Sequence, residues 1–296
     1  MKVALTGASG FIGSVIAKHL SEQGHSVTAL VRQTSNRSHI EQYVSQFITG
    51  NHDDIESTAA LIDDADVVIH NSFDWDALQN GSIQDHLLSN LQGSINLLES
   101  SGQRHFIYIS SIAVHHQMHD NWKGEIDETH PLRPGSMYGA CKAAMEAHLW
   151  QAYTTRNQPV TAIRPCGVYG IDPKLSRSIG CTIVEFVQQG KPYARKGGGK
   201  FVHVDDVAAA TVASIGNHDA TPNVYNLVDC YARWADWAAI AADVTGSEIE
   251  IDMSSPATPV NMFDKTLAQH DLGVHLERGL DGIKTHIEEL ASMDKA

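Results

Sequence analysis

The chain has 296 residues, of which 42% are hydrophobic, and its formal net charge is −14. That length allows one large domain or two unequal domains. The charge argues against general affinity for nucleic acid or anionic membranes, and no run approaches the roughly 18 apolar residues of a membrane span. The four cysteines include no CxxC pair, which suits a reducing compartment. A first strand that begins at Lys2 leaves no room for a signal peptide, so we expect a cytoplasmic protein.

The chain opens with a strand that runs into a glycine-rich turn. The strand, the turn and an amphipathic helix follow one another as Lys2–Leu5, Thr6-Gly7-Ala8-Ser9-Gly10-Phe11-Ile12-Gly13 and a run to Gln23. Gly7 permits the sharp turn, Gly10 lets a pyrophosphate approach the backbone, and Gly13 lets the helix lie close to the strand. The free N–H groups at the helix start then face the phosphates. This unit predicts dinucleotide binding rather than only a tight structural turn.

The end of the second strand, Ser26–Val31, bears on the choice of cofactor. An acidic residue there would hold the ribose 2′-hydroxyl and repel a 2′-phosphate. Here Val31 ends the strand, Arg32 follows it, and no acid occurs between Ser26 and Ile40. Because a guanidinium suits a phosphate, the pattern favours NADP(H) over NAD(H). The alternative interpretation is that Arg32 is a solvated loop residue.

Three further strands, Phe47–Gly50, Asp66–His70 and Phe106–Ile109, alternate with helical stretches. This rhythm predicts an α/β fold with a Rossmann-type, doubly wound parallel sheet. Ligands bind at the carboxyl ends of the strands in such sheets. The residues that follow the third and fourth strands are therefore candidate cofactor contacts: Asn51, His52, Asn71, Ser72 and Phe73. The loop after the fifth strand holds His115, His116, His119 and Asp120; loop histidines are more often solvated than metal-bound, and we expect no metal.

Tyr138 and Lys142 stand four residues apart on a predicted helix that ends near Tyr153. This spacing directs the phenol and the ammonium to one face. A nearby ammonium favours the phenolate and lowers its pKa, which would let Tyr138 exchange a proton with a substrate oxygen near neutral pH. Such pairs also occur by chance in helices. The glycine-rich turn at the start of the chain is what supports a catalytic role for this pair.

After Tyr169-Gly170 the regular alternation ends. Residues 171–200 carry six basic and two acidic residues, so this segment is positively charged although the net charge of the chain is negative. This reversal of sign suggests an anionic small-molecule substrate, with Arg177 as a candidate contact, although a solvated surface hairpin would look the same. We predict a dinucleotide-binding domain of residues 1–165, to which 201–230 return. Residues 166–200 and 231–296 would form a smaller C-terminal, substrate-binding α/β part.

Taken together, the motifs resemble those of the extended short-chain dehydrogenase/reductases, which include the NAD-dependent epimerase/dehydratases and dihydroflavonol-reductase-like enzymes. Order and intervals agree over nearly the whole chain. The matching pieces are Thr6-Gly7-x-x-Gly10-x-x-Gly13, Val67-Val68-Ile69-His70, Asn90, Ser110-Ser111, Tyr138-x-x-x-Lys142, Arg164-Pro165 with Tyr169-Gly170, and Phe201-Val202-His203-Val204-Asp205-Asp206.

The resemblance implies roles for these residues. Tyr138 would be the general acid/base, and Lys142 would hold the nicotinamide ribose and lower the pKa of Tyr138. Ser111 would hydrogen-bond the reacting oxygen, and Asn90 would support its helix and a proton-relay water. The implied cofactor contacts are Gly7, Ser9, Gly10, Phe11 and Ile12 at the pyrophosphate, Asn71, Ser72 and Phe73 along the cofactor, and Pro165, Cys166 and Val168 at the nicotinamide.

Three departures from the family pattern affect these expectations. Gly50-Asn51-His52 stands where Gly-Asp-Leu is frequent, which leaves the adenine contact open. His115-His116 replaces a frequent Tyr-Gly, so His115 is a candidate substrate contact. Asn71-Ser72-Phe73 replaces small residues and would narrow the pocket.

The leading hypothesis is an NADP-dependent oxidoreductase that transfers a hydride between nicotinamide and a small carbonyl or alcohol. The second hypothesis is an NAD-dependent nucleotide-sugar epimerase. Val31 argues against it, because an acidic residue at that position would favour NAD. A sugar 4,6-dehydratase is less favoured because Ile112-Ala113, not an Asp-Glu pair, follows Ser111. A non-catalytic NADP-sensing regulator would usually have lost the Tyr138–Lys142 pair. The resemblance also implies a homodimer formed through the helices near 90–100 and 138–153.

Overall fold

The computed structural model describes residues 1–115, 118, 121–122 and 124–293. Strands and helices alternate in its first half. In chain order the elements are β1 (Lys2–Thr6), α1 (Phe11–Glu22), β2 (Ser26–Val31), β3 (Gln46–Thr49), α2 (Ile55–Ile62), β4 (Val67–His70), α3 (Trp75–Gln79), α4 (Ile83–His86), α5 (Gly93–Ser100) and β5 (His105–Ile109). A π-helical segment, Leu87–Gln92, joins α4 to α5, and a 3₁₀ turn covers Ile112–Val114.

The second half begins with the longest helix described. In chain order its elements are α6 (Met137–Arg156), β6 (Val160–Pro165), β7 (Gly167–Tyr169), α7 (Cys181–Gln188), β8 (Gly198–His203), α8 (Val204–Ala213), β9 (Asn223–Leu227), β10 (Cys230–Arg233), α9 (Trp234–Thr245), α10 (Thr266–Leu272) and α11 (Gly279–Met293). The Ser136 hydroxyl caps α6 by accepting the N–H of Gly139, and Asn157 ends the helix in the left-handed conformation. Within the described residues, no helix is both long and apolar enough to cross a bilayer.

Seven parallel strands form the central sheet in the order β3-β2-β1-β4-β5-β6-β9. Helices α1 and α8 bury apolar side chains on one face, and α2, α5 and α6 do so on the other. Because both faces are covered, the central strands are continuously apolar. The predicted Rossmann-type, doubly wound fold is confirmed. The strand order reverses between β1 and β4, which brings the turn after β1 beside the residues that follow β4.

A second, three-stranded sheet has the order β10-β8-β7. Helices α7, α9 and α11 pack with it around the buried Trp237. Residues 201–203 and 230 do not return to the larger part as predicted, because β8 pairs with β7 and β10. The physical reason is that Phe201 in β8 is buried in the same apolar cluster as Trp237. The chain rejoins the large sheet only with α8 and β9.

Candidate functional site

The glycine turn joins β1 to α1 at the point where the strand order reverses. Gly7 has a φ of +70°, and its carbonyl oxygen accepts the N–H of Gly10 at 3.1 Å. A Cβ on Gly13 would lie 2.1 Å from that same oxygen, so only glycine lets α1 lie against the turn. This is the close approach that the sequence predicts for a pyrophosphate-binding turn.

Buried polar side chains tie the glycine turn to the neighbouring strand and helix. The Thr6 hydroxyl accepts the N–H groups of Asn71 and Ser72, each at 3.1 Å, and therefore donates to His70 Nδ1 at 2.8 Å. His70 Nε2 then donates to Ser94 Oγ at 2.8 Å. Burial holds the pKa of His70 well below its usual value, so this ring is neutral. The network makes the floor of the site rigid.

A cavity of about 1040 Å³ extends from the glycine turn. Most of the predicted cofactor contacts line it: Gly7, Ser9, Gly10, Phe11, Ile12, Arg32, Asn51, His52, Asn71, Ser72 and Phe73. Its volume and its glycine wall suit a dinucleotide. Sequence reasoning did not assign Trp75 or the segment 172–174 to this cavity, yet both line it. Arg177, predicted as a substrate contact, lines the same cavity.

Ser111, Tyr138 and Lys142 converge at the carboxyl end of β5. Lys142 is 2% exposed, and its Nζ donates to the carbonyl oxygen of Ile109 at 2.7 Å. The Ser111 hydroxyl lies beside the phenol of Tyr138, whose pKa it acts to lower, and it accepts the N–H of Ala113 at 3.1 Å. The spacing on α6 therefore does bring the phenol and the ammonium to one place, next to a serine hydroxyl.

The pKa of Tyr138 differs from the expectation. Burial raises the pKa of Tyr138, and the neighbouring Ser111 hydroxyl opposes the rise only in part. Burial also lowers the pKa of Lys142 to about 8. The reason is geometric: the Lys142 ammonium binds the Ile109 carbonyl and lies 4.5 Å from the ring centre of Tyr108. It does not hold the phenolic oxygen, so it does not outweigh desolvation there.

Two aromatic side chains from the loop after β4 cover Tyr138. Phe73 meets its ring edge-on at 5.0 Å, and Trp75 stacks on it with ring centres 5.0 Å apart. Phe73 also lies 5.1 Å from Lys142 Nζ. Since Phe73 and Trp75 both line the cavity, they connect the phenol to the predicted cofactor site. Phe73, which we expected to narrow the pocket, packs directly on the phenol.

Asn90 anchors this aromatic loop. Its Oδ1 accepts the N–H of Asp74 at 2.6 Å, and its Nδ2 donates to the Asp74 carbonyl at 2.9 Å. Nδ2 also lies 3.0 Å from His86 Nδ1. Asp74 stands between the two aromatic residues, and its carboxylate caps α3. The Asn90 amide is thus committed to the loop, while its main-chain oxygen accepts from Ser94 at 2.6 Å.

His115 belongs to a buried network behind the site. Arg164 donates to His115 Nε2 at 3.0 Å and binds the Glu146 carboxylate. His115 Nδ1 lies 3.4 Å from the Pro131 carbonyl oxygen, and burial with the Arg164 charge lowers the pKa of His115 to about 3. With both ring nitrogens engaged inside the protein, this placement does not favour the predicted substrate contact.

The residues predicted at the nicotinamide follow β6. The Pro165 carbonyl oxygen lies 3.5 Å from Ser111 Oγ, and partly buried Cys166 and Val168 pack on the core. None of these three lines the described cavity. His116, His119 and Asp120 fall outside the described residues. Within the described ranges, no group of three or more histidine, cysteine or acidic residues could hold a metal ion.

Comparisons with known proteins agree with this architecture. A model of the NAD dependent epimerase/dehydratase family matches residues 3–227. The chain is 28% identical over 181 residues to the low-salt glycan biosynthesis protein Agl12 of Haloferax volcanii, covering 57% of each chain. It is 27% identical over 219 residues to a putative dihydroflavonol 4-reductase of Synechocystis, covering 69% of this chain and 60% of that one. The chain therefore spans about three fifths of the length of these relatives.

Solved structures share the fold along the whole chain. The UDP-glucose 4-epimerase of Thermotoga maritima superposes with a TM-score of 0.83 at 22% identity, covering 99% of each chain. The UDP-glucose 4-epimerase of Thermus thermophilus, solved in complex with NAD, gives 0.78 at 24% identity, covering 98% of this chain and 99% of that one. The family match and the shared fold confirm the resemblance that the motifs predict: the chain belongs to the NAD dependent epimerase/dehydratase family of enzymes.

Proposed function

We propose that the protein is an NADP(H)-dependent oxidoreductase that transfers a hydride between nicotinamide and a small carbonyl or alcohol. The observation that carries this proposal is the meeting of Ser111, Tyr138 and Lys142 behind Phe73 and Trp75, which pack on Tyr138 and line the glycine-turn cavity. Hydride transfer needs a nicotinamide carbon, a substrate carbon and a proton donor or acceptor for the substrate oxygen in one place.

The glycine turn and Arg32 support the cofactor assignment. The turn would hold the pyrophosphate at the start of α1. Arg32 lines the cavity directly after β2, and within the described residues its guanidinium has no ion-pair or hydrogen-bond partner. An unpaired guanidinium suits a 2′-phosphate, and no carboxylate at Val31 would repel it. These features favour NADP(H) over NAD(H).

The protein side chains would handle the substrate oxygen and its proton. Ser111 and Tyr138 would hydrogen-bond this oxygen, and Tyr138 would give it a proton in reduction or remove one in oxidation. Lys142 stays protonated below about pH 8 and would supply positive charge beside the phenol. A bound nicotinamide supplies or accepts the hydride.

The alternative function is an NAD-dependent nucleotide-sugar epimerase, as the two superposed UDP-glucose 4-epimerases suggest. An epimerase must present both faces of one sugar carbon to the nicotinamide, so the sugar has to turn inside its pocket. Phe73 and Trp75, packed on the phenol of Tyr138, restrict such a turn. This packing supports the reductase.

The experiment that tests the proposal begins with the purified protein. Its bound nucleotide is identified, NADPH and NADH are titrated, and NADPH consumption is followed with a panel of small aldehydes and ketones. We expect an empty cofactor site, tighter binding of NADPH and consumption with some carbonyl compounds. Tightly bound NAD, together with interconversion of UDP-sugars without net change in the cofactor, would instead establish the epimerase.

We also propose that the protein is a homodimer. The segment from α4 to α5 presents an apolar groove lined mainly by Ile83, Leu87, Leu88, Leu91 and Ile95. Ile83 is 67% exposed and Leu88 54% exposed, and exposed apolar patches of this kind often mark interfaces. Light scattering that gives a dimeric mass would support the proposal, and a monomeric mass would contradict it.

A further inference from the structure

The chain that leaves β7 runs close to the start of α1. A Cβ placed on Gly170 would lie 3.4 Å from Cζ of Phe11, the first residue of α1. The residues that follow, Asp172, Pro173, Lys174 and Arg177, line the same cavity as Gly7 and Gly10. The smaller part of the protein therefore supplies a wall of the cavity close to the pyrophosphate-binding turn.

The shape of this wall is set by hydrogen bonds to the backbone. The N–H of Asp172 donates to Ser178 Oγ at 2.9 Å, and the N–H of Lys174 donates to the Asp172 carboxylate at 2.7 Å. Leu175–Arg177 forms a 3₁₀ turn, and Leu175 packs on the core of the smaller part. The backbone that carries Lys174 and Arg177 is thus held in place without using their charged groups.

The cationic side chains at the cavity are unusual in this protein because they have no partners. Among the lysines and arginines that the structure describes, Arg195 contacts only Tyr193 and the Trp234 ring, and four others, Arg32, Arg133, Lys174 and Arg177, have no side-chain ion pair, hydrogen bond or ring contact. Three of these four line the cavity. Three acidic residues line the cavity: Asp172 and Asp74 already accept backbone N–H groups, and Asp53 is the third. An anion in the cavity would meet cations that are free to bind it.

We propose that Lys174 and Arg177 bind the pyrophosphate of the dinucleotide and so close the cofactor cavity from the smaller part. This inference rests on the proposed function, because it needs the dinucleotide in the cavity. Because Gly170, four residues before Lys174, lies near Phe11 at the start of α1, the proposal assigns these two charges to the pyrophosphate and leaves the adenosine ribose to Arg32, which follows β2. Within the positively charged segment 171–200, Lys174 and Arg177 would then bind the cofactor and not an anionic substrate.

The test compares dissociation constants of the full-length protein and its Lys174→Gln/Arg177→Gln double variant for NADPH and NADH. The matched control is Arg133→Gln, which removes an equally unpaired cation that lies away from the cavity. We expect the double variant to bind both nucleotides roughly tenfold more weakly, since exposed charge pairs contribute modestly. The difference should shrink in about 0.5 M salt, which screens exposed charges. Arg133→Gln should bind like the parent.

Each of the other outcomes would contradict a different part of the proposal. Unchanged affinity for both nucleotides in the double variant would refute the pyrophosphate contact and leave the proposed function intact. If only NADPH bound more weakly, the two cations would contact the 2′-phosphate. If the substrate KM rose while nucleotide affinity stayed unchanged, they would contact the substrate. Either result overturns the proposal. Absence of nucleotide binding by the parent protein would reject the proposed function and this inference with it.

Discussion

The indole of Trp75 stacks on the phenol of Tyr138, with ring centres 5.0 Å apart and planes inclined by 24°. Trp75 is 49% exposed, so one of its faces meets solvent while the other covers the proposed acid/base. The two residues lie 63 positions apart in the chain, and the Asn90 amide holds the loop that brings them together. Access to the phenol therefore depends on a surface aromatic side chain.

Removing the indole should make Tyr138 a stronger acid. Burial raises the pKa of this phenol, so Trp75→Ala, which exposes it to water, should move the pKa back toward its ordinary value. The alkaline limb of the kcat/KM profile should shift to lower pH. Trp150→Ala, which removes an indole that is 43% exposed on the same helix as Tyr138, is the control. Identical profiles for the parent and Trp75→Ala would show that the stack does not desolvate the phenol.

Tyr138→Phe should abolish turnover and spare cofactor binding. The substitution keeps the ring that packs on Phe73 and Trp75 and removes only the hydroxyl. Loss of general acid/base catalysis typically costs about 10²- to 10⁴-fold in rate. Turnover and NADPH titration are measured side by side, with Tyr153→Phe on the same helix as the control. A variant that retains the parent rate would rule out Tyr138 as the proton donor.

Asn90→Ala should loosen the aromatic loop. It removes the partners of the part-buried Asp74 N–H and carbonyl groups, and such a hydrogen bond contributes about 0.5–1.5 kcal/mol. We expect a lower free energy of unfolding in urea, lower kcat and easier acrylamide quenching of tryptophan fluorescence. Gln92→Ala, which loses an exposed hydrogen bond to Asn96, should change none of these. If the two variants behave alike, the Asn90 amide does not anchor the loop.

Glu146→Ala should destabilise the protein strongly. Glu146 and Arg164 form an ion pair at 2.6 Å in which the side chains are 1% and 3% exposed. Removing one partner of a buried pair costs about 3–5 kcal/mol, because the other charge is left without compensation. The matched control is Glu99→Ala, which breaks a half-exposed pair with Arg156 and should cost about 1 kcal/mol or less. Urea unfolding measures both, and equal losses would contradict the argument.

Stability should fall as the pH drops below about 6.5. Burial lowers the pKa of His115 to about 3 and those of His105 and His286 to about 4. Below an unfolded value near 6.5 the unfolded chain binds protons that the folded protein excludes, so each such histidine removes at most about 1.4 kcal/mol per pH unit. Glu128, whose pKa burial raises to about 6, acts in the opposite direction below that pH.

Unfolding in urea at several values between pH 7 and pH 5 tests this dependence. His115→Gln should reduce the slope of the unfolding free energy against pH, because the unfolded variant has one histidine fewer to protonate than the parent. His148→Gln, on α6, is the control. A slope that His115→Gln leaves unchanged would mean that His115 is not held neutral by Arg164 and its buried surroundings.

The sequence by itself determined the Rossmann-type sheet, the glycine turn and the common face of Tyr138 and Lys142. These features depend on local rules: alternating strand and helix patterns, glycine where the backbone must turn or approach closely, and the four-residue period of a helix. The same rules located most of the cavity wall, since residues after parallel strands must meet at one edge of the sheet.

Only the tertiary structure decided what surrounds those groups. Phe73 and Trp75 pack on Tyr138, and the Lys142 ammonium donates a hydrogen bond to the Ile109 carbonyl. His115 is buried against Arg164. Lys174 and Arg177 line the cofactor cavity. Each of these relationships joins segments that are distant in the chain, and each depends on how helices and loops pack. Desolvation and the direction of a charge follow from that packing, which is why the pKa of Tyr138 rises although the spacing to Lys142 predicts a fall.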